Sequence, residues 1–413
     1  MLEKGEGVDE QRTKSLPPLR TPSTGGAPAG SKSGRRPRAG AHVEPENPQL
    51  RIVILGLSIT SSWGNGHATT YRGLMRELHN LGCDVLFLER DAEWYASNRD
   101  LPCPPYGRTE IYADLADLRR RFAERVRNAD LVMVGSYVPE GIAVGQWVIK
   151  TARGVTCFYD IDTPVTLAGV ERGGIEYLSR GLIARYDLYL SFTGGPILTR
   201  LEKKFGARMA RALYCSVDPT LYYPDPRDIE WDLGYMGTYS ADRQPALERL
   251  LSDPARRWPE GRFAVVGPQY PAGIRWPSNV QRIQHVAPRD HRAFYNAQRF
   301  TLNLTRASMV EAGFSPSVRL FEAAACGTPI ISDAWPGLDT LFAPGKDILV
   351  AESGQETLRY LREISEAERL ELGRRARERV LAAHTAHHRA GELIGYVLEL
   401  MQPSARAQEV QGV

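Results

Sequence analysis

Apolar residues occur along the chain in short unbroken runs, and each run is followed by a longer stretch with helical spacing. The run RIVILGLSI, which begins at Arg51, is typical of a parallel strand buried on both faces. After the loop TSSWGNG, the stretch HATTYRGLMRELHNLG has helical apolar spacing and ends in glycine. The strand type recurs in DVLFLER, DLVMVGSYV, VTCFYDI and DLYLSFT. This alternation predicts a doubly wound parallel sheet.

A second series of the same kind follows a proline-rich interruption. The segment ALYCSVDPTLYYPDPRDIEWDLGYMG has no helical periodicity, as expected for a connection between domains. Strand-like runs return in DLGYMGTYS, FAVVGP, NVQRIQHV, FTLNLTR, PIIS and DILVAES, with helices from about Arg243 and Pro288. We therefore predict an α/β protein of two Rossmann-like domains with parallel sheets that face each other across a cleft. One domain covers residues 49–215 and the other covers 216–395.

The two ends of the chain fall outside this pattern. Residues 1–48 consist mainly of Pro, Gly, Ser, Thr and charged residues. Such a segment cannot bury enough apolar area to offset the entropy lost on ordering, so we predict a disordered tail there. Residues 396–413 are predicted to form a C-terminal tail.

Composition narrows the range of partners. The net charge of +3 is too small to predict a nucleic-acid or membrane partner. No apolar run approaches the roughly 18 residues that a membrane span needs. The five cysteines are scattered and lack CxxC spacing, which favours reduced thiols over disulfides or a zinc site. We expect a cytoplasmic protein without a membrane span.

In parallel sheets, ligands bind at loops that leave the carboxyl ends of strands. The first such loop, SSWGNGHATT, places Gly64 and Gly66 in a tight turn and His67 at the start of a helix. His67 is a candidate general base or hydrogen-bond donor, or else a capping residue of an ordinary turn. The third glycine of a dinucleotide fingerprint is missing, although Glu89 lies near the end of the second strand. This weakens a dehydrogenase interpretation without excluding it.

Two other clusters of polar residues invite a metal interpretation. In YDIDTP, Asp160 and Asp162 have the spacing that holds a divalent metal on a nucleoside diphosphate. Asp162 could instead orient a sugar hydroxyl, act as a base, or cap the turn before Pro164. HTAHHR has three histidines at helical spacing but no acidic or cysteine partner, which favours a solvated helix or a domain-crossing contact. We predict no metal site.

The second half of the chain contains the residues suited to a phosphate-bearing ligand. Gly237 at a strand end and Arg243 at the next helix start allow close approach and a bidentate clamp. Gly267 ends another strand, and QHV, with His285 and Val286, could present backbone groups to a base.

The strongest pattern in this half is SPSVRLFEAAACGTPIISD. Glu322, one turn into a helix, can accept hydrogen bonds from vicinal hydroxyls, while Arg319 on the same face can reach a phosphate. The loop from Ser315 to Ser317 leaves backbone N–H groups available for an anion. The alternative is an ordinary surface pair between Arg319 and Glu322.

The segment RLFEAAACGTPIISDAWPGLDTLF closely resembles the C-terminal motif of GT-B glycosyltransferases. The segment CSVDPTLYYP resembles the stretch between the two domains of these enzymes. DLGYMGTYSADR resembles the start of their C-terminal domain, and HTAHHRA resembles a motif in their terminal helix. With SPSVRLFEAAACG, the chain is similar to the CgeB-like (spore-maturation type) glycosyltransferases. The resemblance in sequence covers residues 210–395. The N-terminal half resembles these enzymes only in its architecture.

This resemblance implies the GT-B fold and a nucleoside diphosphate sugar as the donor, bound by the C-terminal domain. Glu322 would bind the ribose. Two groups of residues would contact the rest of the nucleotide: Gly237, Arg243, Ser315, Ser317 and Arg319 at the diphosphate, and His285 and Val286 beside the base.

The chain departs from the family at the sugar end of this site. Retaining family 4 enzymes carry two glutamates separated by seven residues, whereas the residue eight positions before Glu322 is Phe314. Glu311 lies nearby and would serve after a local insertion. His67 resembles the helix start at which some inverting GT-B enzymes keep their base. Retention and inversion both stay open.

We therefore predict a metal-independent hexosyltransferase without a cofactor, which moves a sugar from a nucleoside diphosphate donor to an acceptor. Its catalytic candidates are His67, Asp162 and Glu311. The alternatives are a nucleotide-sugar epimerase or phosphorylase of the same fold, or a non-catalytic nucleotide-sugar-binding module.

Overall fold

The computed structural model of the chain describes residues 49–63 and 66–402. The predicted N-terminal tail, Gly64 and the last eleven residues lie outside this range. The described chain forms two parallel sheets with helices on both faces of each.

The N-terminal half contains seven strands, β1 (Arg51–Gly56), β2 (Asp84–Arg90), β3 (Arg108–Tyr112), β4 (Leu131–Gly135), β5 (Val155–Asp160), β6 (Leu188–Ser191) and β7 (Ala210–Ala212). They form one parallel sheet in the order β3-β2-β1-β4-β5-β6-β7. The direction in which strands are added reverses at β1, so the loops after β1 and β4 flank the point where such sheets bind ligands. The helices are α1 (His67–Asn80), α2 (Glu93–Ala96), α3 (Leu115–Asn128), α4 (Gly141–Thr151), α5 (Thr163–Arg172), α6 (Arg180–Ile183) and α7 (Pro196–Phe205).

The C-terminal half repeats the plan with six strands, β8 (Trp231–Met236), β9 (Phe263–Val266), β10 (Val280–Ile283), β11 (Gln298–Asn303), β12 (Ile330–Ser332) and β13 (Leu349–Val350). Their order is β10-β9-β8-β11-β12-β13, and every pairing is parallel. The helices are α8 (Gln244–Leu247), a π-helical segment (Glu248–Ser252), α9 (Asp253–Arg257), α10 (Pro288–Asn296), α11 (Ala307–Ala312), α12 (Val318–Ala325), α13 (Leu338–Leu341), α14 (Gly354–Glu363), α15 (Glu366–Ala383) and α16 (Ala386–Met401).

The unbroken apolar runs become central strands because both faces of each sheet are covered. Along β1, Val53 and Leu55 pack into the core on one face, whereas Ile52 and Ile54 pack into the core on the other. The predicted pair of parallel α/β sheets is thus confirmed. Strands β3 and β7 were not predicted, because these two edges of the first sheet lack a long apolar run.

The chain passes between the two halves twice. The first crossing follows β7 and the second lies between α15 and α16, and they are joined where the Val217 N–H donates to the His384 carbonyl at 3.1 Å. The Ala386 N–H donates in turn to the Val217 carbonyl at 2.9 Å. Two crossings held together by backbone hydrogen bonds fix the base of the cleft.

The last helix belongs structurally to the N-terminal half. Helix α16 packs against α1, where a Cβ at Gly73 would lie 3.1 Å from the Ala386 Cβ. We predicted a tail from residue 396, but α16 continues to Met401 and Val397 is fully buried in the core of the first sheet. Local periodicity did not reveal this return because the contact is distant in sequence. Among the described helices, none has the length and apolar character to cross a membrane.

Candidate functional site

Two adjoining cavities open at the carboxyl ends of the strands, between the halves of the molecule. The larger, of about 290 Å³, is lined mainly by the second half, including Gly237, Gly267, His285, Val286 and Glu322. The smaller, of about 250 Å³, lies on the side of the first half and includes His67, Asp162, Arg306, Ser315 and Ser317. Arg243 and Arg319 line both cavities, so they stand where the two meet.

Glu322 lies on the wall of the larger cavity but is itself only 4% exposed. It sits in the second turn of α12, whose alanines pack into the core. The Tyr295 hydroxyl donates to Glu322 Oε2 at 3.0 Å. Burial, and next the Glu322 charge, raise the pKa of Tyr295 well above its ordinary value, so the hydroxyl stays a donor. The carboxylate is therefore held in one orientation.

Arg243 and Arg319 form a cationic pair at the junction of the cavities. Arg319 Nη1 lies 3.4 Å from the Leu304 carbonyl and from Asn303 Oδ1, and its guanidinium lies 5.4 Å from the centre of the Tyr235 ring. Arg243 donates to the Thr238 carbonyl at 2.7 Å. Burial, and next the charge of Arg319, lower the pKa of Arg243.

The two arginines at the junction of the cavities have no carboxylate partner among the described residues. Within residues 49–63 and 66–402, neither Arg243 nor Arg319 forms a salt bridge with a carboxylate. The surface pair between Arg319 and Glu322 that the sequence left open is accordingly not formed. Two adjacent cations without a carboxylate are suited to an anion such as a diphosphate.

Two strand ends in the second half come unusually close to each other. Gly267 has φ +144°, and a Cβ there would lie 2.0 Å from the Gly237 carbonyl oxygen, so only glycine fits. A Cβ at Gly237 would lie 3.2 Å from Arg319 Nη2. These glycines keep the cavity floor open beside Arg319.

His285 and Val286 form the far wall of the larger cavity. Burial, and next the neighbouring His291, lower the pKa of His285. His291 Nε2 lies 3.2 Å from the Val286 carbonyl oxygen. Across the cleft, the Trp63 ring approaches His285, with ring centroids 5.2 Å apart. The sequence analysis did not single out Trp63, although it precedes His67 in the same loop.

Ser315 and Ser317, which were predicted to contact the diphosphate, both form hydrogen bonds with other side chains of the protein. Ser315 Oγ lies 2.9 Å from Thr193 Oγ1, which links the two halves of the molecule. Ser317 Oγ donates to Asn303 Oδ1 at 2.7 Å. Both serines line the smaller cavity, where their hydroxyls shape the wall beneath Arg319.

No carboxylate takes the place that the family motif predicts eight residues before Glu322. Phe314 has φ +47°, and its ring lies between Gly195 and Gly337, where a Cβ on either glycine would fall within 2.4 Å of it. Glu311 is exposed on α11 and lines neither of the two cavities. The structure thus does not bring Glu311 together with the other candidates.

His67 and Asp162 meet in the smaller cavity. His67 begins α1 after β1, and Asp162 follows β5 as the N-cap residue of α5. His67 Nε2 lies 3.9 Å from Asp162 Oδ2, and both side chains are about three-quarters buried, with 25% and 22% exposed. Burial lowers the pKa of His67, against an opposing effect of the Asp162 charge. The Tyr137 hydroxyl, which the sequence analysis did not single out, donates to the same Asp162 oxygen at 2.9 Å.

Asp160 lies behind this pair and does not face the cavities. It is fully buried and accepts hydrogen bonds from the Tyr189 hydroxyl at 2.5 Å and from Thr166 Oγ1 at 2.7 Å. The Asp162 backbone N–H also donates to it, at 3.2 Å. Burial raises the pKa of Asp160 to about 6. The two aspartates therefore do not present a shared face to a metal, and the described residues contain no cluster of three or more potential ligands.

Glu89 and His384, which the sequence suggested as candidates for other sites, have structural roles. Glu89 is fully buried and accepts from the backbone N–H groups of Ile59 and Thr60, so it anchors the loop after β1. His384 stacks on Phe321, with ring centroids 5.0 Å apart, at the second domain crossing. Burial, and next Arg389, lower the pKa of His384 to about 4. Within the histidine motif, His384 thus makes a domain-crossing contact, whereas His387 is exposed, with its Nδ1 3.4 Å from Glu77 Oε2.

Comparison with known proteins agrees with this architecture. Residues 243–395 match a protein family described as "Glycosyl transferase-like". The fold is similar to sucrose-phosphate synthase (tll1590) from Thermosynechococcus elongatus, with a TM-score of 0.62 and 16% identity over 85% of this chain and 99% of that chain. It is also similar to Anabaena Alr3699/HepE in complex with UDP-glucose, with a TM-score of 0.62 and 13% identity over 85% and 100% of the two chains.

A third similar structure is an alpha-glucosyltransferase in complex with UDP and DNA containing a HMU base. Its TM-score is 0.66, with 14% identity over 84% of this chain and 99% of that chain. No curated protein matches the chain in sequence. At these identities the likeness establishes the fold, and the predicted GT-B architecture is confirmed.

Proposed function

We propose that the protein is a glycosyltransferase that moves a hexose from a nucleoside diphosphate sugar to an acceptor hydroxyl. The observation that carries this proposal is the junction of the two cavities at Arg243 and Arg319, between Glu322 on one side and His67 with Asp162 on the other. This order matches the order of groups in a nucleotide sugar, from ribose through diphosphate to sugar. The family match and the neighbours solved with UDP or UDP-glucose support the same donor class.

In this arrangement the donor lies along the second half of the molecule. Glu322 accepts hydrogen bonds from the ribose hydroxyls, and the base lies beside His285 and Val286. The diphosphate lies against Arg243 and Arg319, with the sugar in the smaller cavity. The bond from sugar to phosphate lengthens in an oxocarbenium-like transition state, and the two arginines stabilise the charge that develops on the leaving diphosphate.

The acceptor hydroxyl enters from the side of the first half. His67 and Asp162 both line the smaller cavity, with Nε2 and Oδ2 3.9 Å apart, so either side chain can receive the proton as the hydroxyl attacks. The lowered pKa of His67 keeps its imidazole neutral at neutral pH and therefore able to accept a proton. Because Arg243 and Arg319 supply positive charge, we also propose that the reaction needs no metal. The CgeB-like type of enzyme and the cytoplasmic location expected from the sequence are part of the same proposal.

Donor binding is the first test. Thermal shifts of the wild-type protein and of Glu322→Gln are measured with UDP, UDP-glucose and other nucleoside diphosphate sugars. We expect a donor-dependent rise in melting temperature for the wild type that is reduced in the variant. A shift of equal size in both proteins would remove Glu322 from the donor site.

Assays of turnover distinguish a glycosyltransferase from the alternative functions. A glycosyltransferase releases UDP from UDP-glucose, slowly to water and faster with a suitable acceptor. Conversion of the donor to another nucleotide sugar would indicate an epimerase, and a requirement for free phosphate would indicate a phosphorylase. Binding without turnover under all these conditions would favour a non-catalytic binding module.

A further inference from the structure

Tyr137 occupies an unusual backbone conformation beside the proposed catalytic pair. It follows β4 directly after Ser136, at the point where the strand order reverses, and has φ +65°. A bulky residue is rarely found in this left-handed region, and such strain persists only where the surroundings enforce it. Glu140 in the same loop has φ +54°. The loop thus has two left-handed residues that are not glycine.

The side chain of Tyr137 contacts both members of the pair. Its hydroxyl donates to Asp162 Oδ2 at 2.9 Å. Its ring lies nearly parallel to the His67 ring, with centroids 5.8 Å apart and an interplanar angle of 24°. The Tyr177 ring also packs against the Tyr137 ring, with 4.8 Å between the ring centroids. Tyr137 therefore connects His67 and Asp162, although these lie on different loops.

The hydroxyl of Tyr137 stays protonated in this position and donates to Asp162. Burial, and next the Asp162 charge, raise the pKa of Tyr137 far above its ordinary value. Asp162 is fixed from a second direction, because its backbone N–H donates to the buried Asp160 at 3.2 Å. Asp160 anchors the backbone of Asp162, whereas the Tyr137 hydroxyl sets the direction of its carboxylate.

We propose that Tyr137 is a positioning residue that holds Asp162 Oδ2 at its spacing from His67 and so sets the geometry in which the acceptor hydroxyl is deprotonated. This inference rests on the proposed function. Tyr137 lines neither cavity, so its effect reaches the substrate only through the two residues it contacts. Loss of its hydroxyl should therefore change turnover and leave donor binding intact.

The test compares Tyr137→Phe, Asp162→Asn and the double variant, with UDP release from UDP-glucose as the assay. A hydrogen bond to a charged group contributes about 1.5–3 kcal/mol, which corresponds to a roughly 10–100-fold change in rate. We expect Tyr137→Phe to lower kcat by about that factor, with KM for UDP-glucose within about twofold. In the Asp162→Asn background, the second substitution should cause almost no further loss, because the two residues act as one unit.

A matched control is Tyr71→Phe. Tyr71 lies one turn after His67 on α1, and its buried hydroxyl has no hydrogen-bond partner among the described residues. Its removal should leave kcat unchanged. Tyr137→Asn is a second test variant, because asparagine tolerates the left-handed backbone but places no hydroxyl at Asp162. It should show the same fall in kcat with unchanged KM.

The outcomes separate this proposal from the function on which it rests. If Asp162→Asn retains the wild-type rate, the catalytic assignment of Asp162 fails and the role of Tyr137 fails with it. If Asp162→Asn is slow but Tyr137→Phe is not, or if their effects multiply, the Tyr137 proposal alone is overturned. A rise in KM without a change in kcat would likewise overturn it.

Discussion

The Nε2 atom of His67 and the Oδ2 atom of Asp162 lie 3.9 Å apart, which is too far for a hydrogen bond between them. A single oxygen to the side of the line that joins these atoms can lie within roughly 2.6–3.2 Å of both, the distance that proton transfer requires. One hydroxyl group in the smaller cavity can therefore contact both side chains at once. Both residues come from the first half of the molecule, opposite the cationic pair of the second half.

Substitution of either residue should slow turnover without weakening the donor complex. Correctly placed acid–base groups contribute about 10²–10⁴-fold to rate, so His67→Gln and Asp162→Asn should each lower kcat within that range. Thermal shifts with UDP should match the wild type, because neither side chain lines the larger cavity. A variant that loses UDP binding instead would indicate damage to the fold.

The pH dependence of kcat/KM distinguishes the two candidate bases. Burial lowers the pKa of His67, so its imidazole becomes protonated only below the ordinary histidine value of 6.5. If His67 receives the proton, the rate should fall on the acid side of that value and be constant from there to neutral pH. His67→Gln should abolish this acid limb. A limb that persists in the variant would show that His67 is not the group that receives the proton.

Glu322 should determine donor affinity. Glu322→Gln keeps the shape of the side chain but removes the charge that, in the proposed donor complex, accepts hydrogen bonds from the ribose hydroxyls, at a cost of about 1.5–3 kcal/mol. We expect UDP and UDP-glucose to bind roughly 10–100-fold more weakly, measured by calorimetry. Glu260→Gln removes an exposed carboxylate from the same half and serves as the control, with unchanged affinity expected.

Sequence patterns predicted the central strands, and they placed every candidate site residue except Glu311 at the two cavities, for a clear physical reason. Strands buried on both faces are continuously apolar, and the loops that follow them must lie at one edge of the sheet. His67, Asp162 and Arg243 could therefore be placed near a cleft without any structure. The position of Tyr137 could not, because nothing in SYVPEG indicates that its hydroxyl faces Asp162.

The errors also have physical causes. Glu311 is close in sequence to the expected carboxylate position, but the left-handed turn at Phe314 places a phenyl ring there between two glycines. The return of α16 to the first half depends on contacts with α1 that are more than 300 residues away in sequence. Neither feature leaves a local pattern in the sequence.

Activity should not depend on an added divalent metal. Arg243 and Arg319 place two positive charges at the junction of the two cavities, where the proposed donor has its diphosphate, and neither has a carboxylate partner among the described residues. UDP release should persist after treatment with EDTA, and Arg319→Met should lower kcat by about 10²-fold, the loss typical of one transition-state donor. Strict dependence on Mn²⁺ in the wild type would contradict this prediction and would favour Asp162 as a metal ligand instead.

Asp160 should make the stability of the protein depend on pH in an identifiable direction. Burial raises its pKa from 3.8 to about 6, so between these values the folded protein retains a proton that the unfolded chain has released. Stability conferred by this group is therefore present at low pH and declines as pH rises through about 6. Two pKa units correspond to about 3 kcal/mol.

Asp160→Asn cannot titrate, so the free energy of unfolding of the wild type minus that of the variant should fall by up to this amount from pH 4 to pH 7. Urea unfolding at several pH values measures it, with the exposed Asp339→Asn as a control whose difference should stay constant. A difference for Asp160→Asn that is constant, or rises with pH, would show that the buried carboxyl is ionised at low pH as well.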